Sequence, residues 1–182
     1  MALDKTFASG EILSAANVNG HLLGLWIPID KRVIPSGSPT TPITFSSLDS
    51  NFRLFRLTYH TISTGSTVLR LNNDSGTNYT HQALEVSSTT VVGTRLTSAT
   101  GIDVGRSTVN TPVQGELLIS KFSTASEARI TGHTAIATHA GVQISLMSSS
   151  WNNAASLINR IDIIGSGAGI HGVVALEGMR GS

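Results

Sequence analysis

The chain carries 24 Ser and 21 Thr among 182 residues, and they are spread between short apolar runs instead of gathered into one tract. Hydroxyl and β-branched residues in this arrangement favour extended backbone broken by turns. Segments with Ala, Leu, Glu and Lys at a 3.6-residue period, which build helices, are missing after residue 25. The sequence therefore predicts an all-β chain. A hydrophobic content of 40% with only 13% charged residues places it among chains that bury a core, and its length suits one ordinary domain, or a domain with an arm.

Eight strands are expected, at Phe52 to His60, Thr67 to Asn72, His81 to Val86, Gly115 to Phe122, Ala128 to Ala137, Val142 to Met147, Leu157 to Ile164 and Ile170 to Met179. In Gly115 to Phe122, alternation sends Leu117 and Ile119 to one face and Leu118 and Phe122 to the other, so both faces call for cover. Asn72-Asn73-Asp74-Ser75-Gly76 and Gly165-Ser166-Gly167-Ala168-Gly169 supply side-chain acceptors and residues tolerant of positive φ, and hairpins are expected at both. Eight short strands without βαβ alternation or a fixed repeat predict a two-sheet antiparallel sandwich, jelly-roll-like, with immunoglobulin-like packing as the runner-up. The strand Ile170 to Met179 is expected to be central. One of its faces carries Ile170, Val174 and Leu176, and the other carries His171 and Val173, which are candidate trimer contacts.

The beginning is different. Ser14 is placed to cap a turn, and Ala15, Val18, Leu22 and Leu25 recur at helical spacing, so a short helix is expected, with Gly20 and Gly24 limiting its length. From Trp26 to Pro42 the chain holds four of its five prolines, which reads as a linker or an edge segment. The expected division is residues 1–40 as helix, docking arm and linker, and residues 41–182 as the sandwich domain.

Absent cysteines exclude disulfide frameworks, thiolate metal sites and cysteine nucleophiles. Twelve basic against eleven acidic residues leave a formal net charge of +1, without a basic run that would mark nucleic acid or anionic lipid as a partner. No apolar stretch approaches the roughly 18 residues that span a bilayer, and the first residues lack the apolar region of a secretory signal, so synthesis in the cytoplasm without membrane insertion is expected.

Motifs that could carry chemistry read as structure. Gly167-Ala168-Gly169-Ile170-His171-Gly172 matches a dinucleotide fingerprint but leads into Val173-Val174-Ala175-Leu176, a strand, where the fingerprint needs a helix. Asn72, Asp74, Gly76 and Asn78 have the alternation of a calcium loop but lack its bidentate Glu, so a turn is expected and no metal or other cofactor. The six histidines share no ligating or catalytic spacing, and the hydroxyl residues are too numerous for a triad to be read from sequence, so no catalytic residue is assigned. Asn78 with Tyr79, and Trp151 with Asn152, pair amide and ring as sugar-binding loops do, making them candidate glycan contacts.

The opening Phe7-Ala8-Ser9-Gly10-Glu11-Ile12-Leu13-Ser14-Ala15-Ala16-Asn17-Val18-Asn19 resembles the start common in structural proteins of tailed bacteriophages. Phe52 to Leu57 followed by Leu69 to Tyr79, and the ending from Ile161 to Ile164 with Gly172 to Arg180, are similar to stretches of phage tail and head surface proteins. The resemblance implies a non-enzymatic virion component. In it, an arm including Phe7, Glu11, Ile12, Leu13, Val18 and Leu22 docks onto other phage structural proteins while a sandwich projects outward, usually as a homotrimer. A tail tip or fibre that adheres to a host-surface glycan is the expected role. Capsid decoration is the alternative, and a free carbohydrate-binding module or glycan-acting enzyme the second.

Overall fold

The computed structural model describes residues 26–63, 65–87, 89–106, 111–138, 141–153, 155–166 and 169–181. The expected N-terminal helix, and all six docking positions named above, lie outside the described residues.

Within them the chain forms twelve strands: β1 (Ile27–Ile34), β2 (Ile43–Ser46), β3 (Phe52–Ser63), β4 (Ser66–Leu71), β5 (Tyr79–Ser87), β6 (Thr90–Ala99), β7 (Ile102–Arg106), β8 (Thr111–Ser120), β9 (Ala128–Thr138), β10 (Gly141–Trp151), β11 (Arg160–Gly165) and β12 (Ile170–Arg180). They make two antiparallel sheets, an eight-stranded one in the order β1-β12-β3-β8-β9-β10-β5-β6 and a four-stranded one in the order β2-β11-β4-β7. All eight expected strands are present, and β1, β2, β6 and β7 are added to them.

Eight of the strands pair in a nested series: β1 with β12, β2 with β11, β3 with β8, and β4 with β7. The chain thus runs out along β1 to β4 and returns along β7, β8, β11 and β12. Two hairpins interrupt the series. β5–β6 follows β4, β9–β10 follows β8, and both extend the larger sheet beyond β8.

The core explains why alternation was the useful signal. On β3, Phe55, Leu57 and Tyr59 are buried while Arg56 and Thr58 are not, and on β8 Val113, Leu117 and Ile119 are buried while Gln114 is exposed. These residues join Phe45, Leu69, Leu71, Ile102, Ile161 and Ile163 of the smaller sheet in one cluster, giving a sandwich-like packing. The Tyr59 hydroxyl crosses between the sheets to donate to the Val104 carbonyl at 2.7 Å. Burial, and then the nearby Asp103 carboxylate, push that hydroxyl's pKa far above the usual tyrosine value.

Three expectations are corrected. First, Asn72 to Gly76 does not close a hairpin: β4 pairs with β11 and β7, whereas β5 pairs with β10 and β6, so this turn carries the chain from the smaller sheet to the larger. Second, the chain between β11 and β12 makes the same kind of crossing. Turn chemistry sets local φ, here 53° at Asn72 and 55° at Asn73, but does not set which strand comes next in the ladder. Third, β12 is not central but second from the edge of the larger sheet. Of the two readings of the proline-rich segment, linker or edge, residues 27–34 take the second: they pair with β12 in seven places as its edge strand, where Pro28 and a bulge are tolerated. Phe122, expected on a strand face, follows the end of β8 and is exposed.

The expected faces of β12 are observed: Ile170, Val174 and Leu176 are buried, and His171 and Val173 lie on the other, half-buried face. Gly172 sits at φ 126°, and a Cβ there would stand 2.2 Å from the His60 carbonyl oxygen, so no other residue fits this close approach.

Candidate functional site

The register of the larger sheet creates an outer face, away from the core, whose rows cross all eight strands. One row runs Val33, Val173, His60, Gln114, Ala135, Ile144, Val86 and Val91, and the next runs Lys31, Ala175, Thr58, Glu116, His133, Leu146, Leu84 and Gly93. Over β3, β8 and β9 the rows sink into a shallow groove of about 370 Å³, lined by Thr58, His60, Gln114, Glu116, His133 and Val173. His60 and His133 are exposed and Glu116 is half-buried. The groove therefore offers hydrogen-bond donors and acceptors of several kinds on neighbouring strands. Sequence reading missed it because its members come from four strands, β3, β8, β9 and β12, that span more than a hundred residues of the chain. Their common period-two phase is visible in the sequence, but the strand order that brings them together is not.

Beyond β9 the same face turns apolar. Leu84, Val86, Val91, Ile144 and Leu146 are all exposed there.

At one end of the sandwich the four candidate glycan contacts are brought together, but in a different state from that expected. Tyr79 opens β5 and Trp151 closes β10 directly opposite it, and both side chains are fully buried. Their rings stack on one another with centroids 6.4 Å apart. Rings enclosed in this way have no face left for a sugar, so the expectation of exposed stacking rings at Tyr79 and Trp151 is overturned. Asn78 and Asn152 are exposed, and the Asn152 N–H donates to the Asn78 carbonyl at 2.9 Å.

Asp74 organises this end. One carboxylate oxygen accepts from Trp151 Nε1 at 2.7 Å, Asn78 Nδ2 at 2.9 Å and Asn153 Nδ2 at 3.4 Å, and the other accepts from the Gly76 N–H at 2.8 Å. Burial alone would raise its pKa, but the hydrogen bonds from Trp151, Asn78, Gly76 and Asn153 together hold it below the usual carboxylate range. Oxygens engaged by N–H donors are not poised for a cation, which agrees with reading this run as a turn. Nearby, the buried Lys121 ammonium donates to the carbonyls of Ser126 at 2.6 Å and Asn153 at 2.8 Å and lies 5.2 Å from the Trp151 ring. Burial lowers its pKa below the usual lysine value.

Of the fingerprint-like glycines, Gly169 has φ 102° and leads directly into β12. A strand follows it and not a helix, so the context for a pyrophosphate is not met. Among the histidines, His81 is buried with Nδ1 2.9 Å from Ser149 Oγ, while His21 and His139 lie outside the described residues. Among the described residues no three His, Cys, Asp or Glu side chains converge as a metal site.

Comparison with protein-family models, curated proteins and solved structures returned no match.

Proposed function

We propose that this chain is a non-enzymatic structural protein of a tailed-bacteriophage virion, attached to the particle by the residues before β1 and presenting a jelly-roll sandwich at the surface. The carrying observation is a conjunction at residue 26: a phage-like opening, Phe7 to Asn19, leads into a domain whose strands pair in a nested series. Rolled-up nested pairing in two four-stranded orders, β1-β12-β3-β8 and β2-β11-β4-β7, is the arrangement of double-sheet jelly rolls. The most enclosed charged groups at the turn end of the sandwich favour the same reading. Asp74 and Lys121 spend their hydrogen bonds on holding loops.

In this reading the protein is a homotrimer at a tail tip or fibre, and host contact runs through the groove of His60, Gln114, Glu116 and His133 instead of through buried rings. A gold-labelled antibody against the chain should mark the tail end of assembled particles. Label over the head would move the protein to capsid decoration, and unlabelled particles overturn the virion reading. Deleting residues 1–25 should leave a folded sandwich that no longer sediments with particles. Glu116→Ala with His133→Ala should lower adsorption to host cells at least several-fold without changing the melting temperature, because both side chains are on the outer face.

A further inference from the structure

The two edges of the larger sheet are built in opposite ways. β1 carries Pro28, a bulge and three consecutive charges, Asp30, Lys31 and Arg32, which are the devices that stop a sheet edge from pairing with another chain. β6, at the other edge, is ten residues long, has no proline or lysine and bears one charge, Arg95. It also exposes aliphatic side chains on both of its faces. Val91 is 60% exposed on the outer face, and Val92 is 50% and Leu96 41% exposed on the inner one. Among the described residues the inner face is uncovered: the smaller sheet ends at β7, whose main contacts with the larger sheet are to β5 and β9.

We propose that this β6 corner is where copies of this chain meet, with β6 wedged against one neighbour on each face around a three-fold axis; this rests on the reading of the chain as a self-assembling virion component. Leu84, Ile144 and Leu146 continue the outer apolar surface from Val91 inward. Together, over the outer and the inner face, these side chains expose on the order of 600 Å². In a cyclic arrangement the outer face of one corner meets the inner face of the next, so this is the apolar area of one interface summed over both partners, and at an apolar share of about 60% it corresponds to roughly 1,000 Å² in all, the size that a specific interface clears. Charges are sparse here. Between Tyr79 and Ala99 only Glu85 and Arg95 are charged, and β10 has none, matching the charge depletion of interface centres. A two-fold stacking of outer faces would cover Val91 but leave Val92 and Leu96 in water. A cyclic arrangement gives each corner two neighbours and covers both sides. The axis then lies at β6, six strand positions and roughly 29 Å from His171 and Val173 on β12.

The test is the mass of the full chain by light scattering and sedimentation at micromolar concentration, with circular dichroism to confirm the strands. The wild type should run at three times the 19.0 kDa of one chain. Val91→Lys with Leu146→Lys, and separately Val92→Lys, should each raise the dissociation constant at least 100-fold and give a folded monomer. Val33→Lys, an equally exposed aliphatic position at the protected edge, should leave the trimer intact. A monomeric wild type overturns the proposal, as does a trimer that survives either corner substitution, or a dimer that responds only to the outer-face pair. A trimer broken at the corner by a protein that never labels a virion supports this inference while overturning the virion reading.

Discussion

Asp74 shows how much a single side chain can hold. Its carboxylate ties the turn after β4 to the end of β10 through Trp151 Nε1, and Asn72 beside it ties the same turn to the chain before β11. Asn72 Oδ1 accepts from the N–H groups of Asn159 at 2.9 Å and Arg160 at 3.1 Å, and its Nδ2 donates to the Leu157 carbonyl at 2.8 Å. Asp74→Ala leaves the buried indole N–H without an acceptor and should cost about 1–3 kcal/mol in urea unfolding. The pH dependence has a definite sign. A carboxyl whose folded pKa is depressed contributes stability above its unfolded value, near 3.9, and loses that contribution as pH falls through the lower folded value. The wild type should therefore exceed Asp74→Asn in stability by a constant margin from about pH 5 to 8, and the margin should shrink below about pH 4. A margin that persists at about pH 2 would assign the effect to shape and not to charge.

At the scale of strands, legibility followed burial on one face. β3, β8 and β12 were found because Phe55-x-Leu57-x-Tyr59, Leu117-x-Ile119 and Val174-x-Leu176 alternate against polar or half-buried neighbours. β6 was missed because Thr90 to Ala99 has no buried face to impose alternation. β2 and β7 are four and five residues long, too short to show a period, and β1 was hidden by Pro28. The groove histidines were legible as residues but not as neighbours. β1 also sets a limit on truncation. Removal of residues 1–25 stops short of it, but removal of residues 1–40 strips seven paired positions from β12 and exposes a new edge, so the longer deletion should be markedly less soluble and melt lower in a dichroism scan. Val174→Asp would place an unpaired charge in the core and cost several kcal/mol, yielding insoluble protein. Soluble, trimeric Val174→Asp would show that β12 does not line the core.

Across the whole molecule, one cluster of buried side chains runs through both sheets, and the chain changes sheet eight times between β1 and β12, the turn after β4 and the segment between β11 and β12 among them. Neither sheet can separate without carrying the other's connections. Calorimetry should give a single cooperative transition, and two resolved transitions would mean that the sheets unfold independently. The sparse charge of the β6 corner leads to a second expectation. The proposed trimer should persist in about 1 M salt, where screening operates within about 3 Å, whereas an interface held by ion pairs would loosen.

β5, β6 and β10 all belong to the two hairpins that interrupt the nested series, while the eight nested strands pair with one another without them. With the proposed contact at β6, the part of the chain that meets its neighbours is grafted onto the part that sets its shape. Exchanging these hairpins should then change association while leaving the frame in place, so that related chains diverge in stoichiometry before they diverge in architecture.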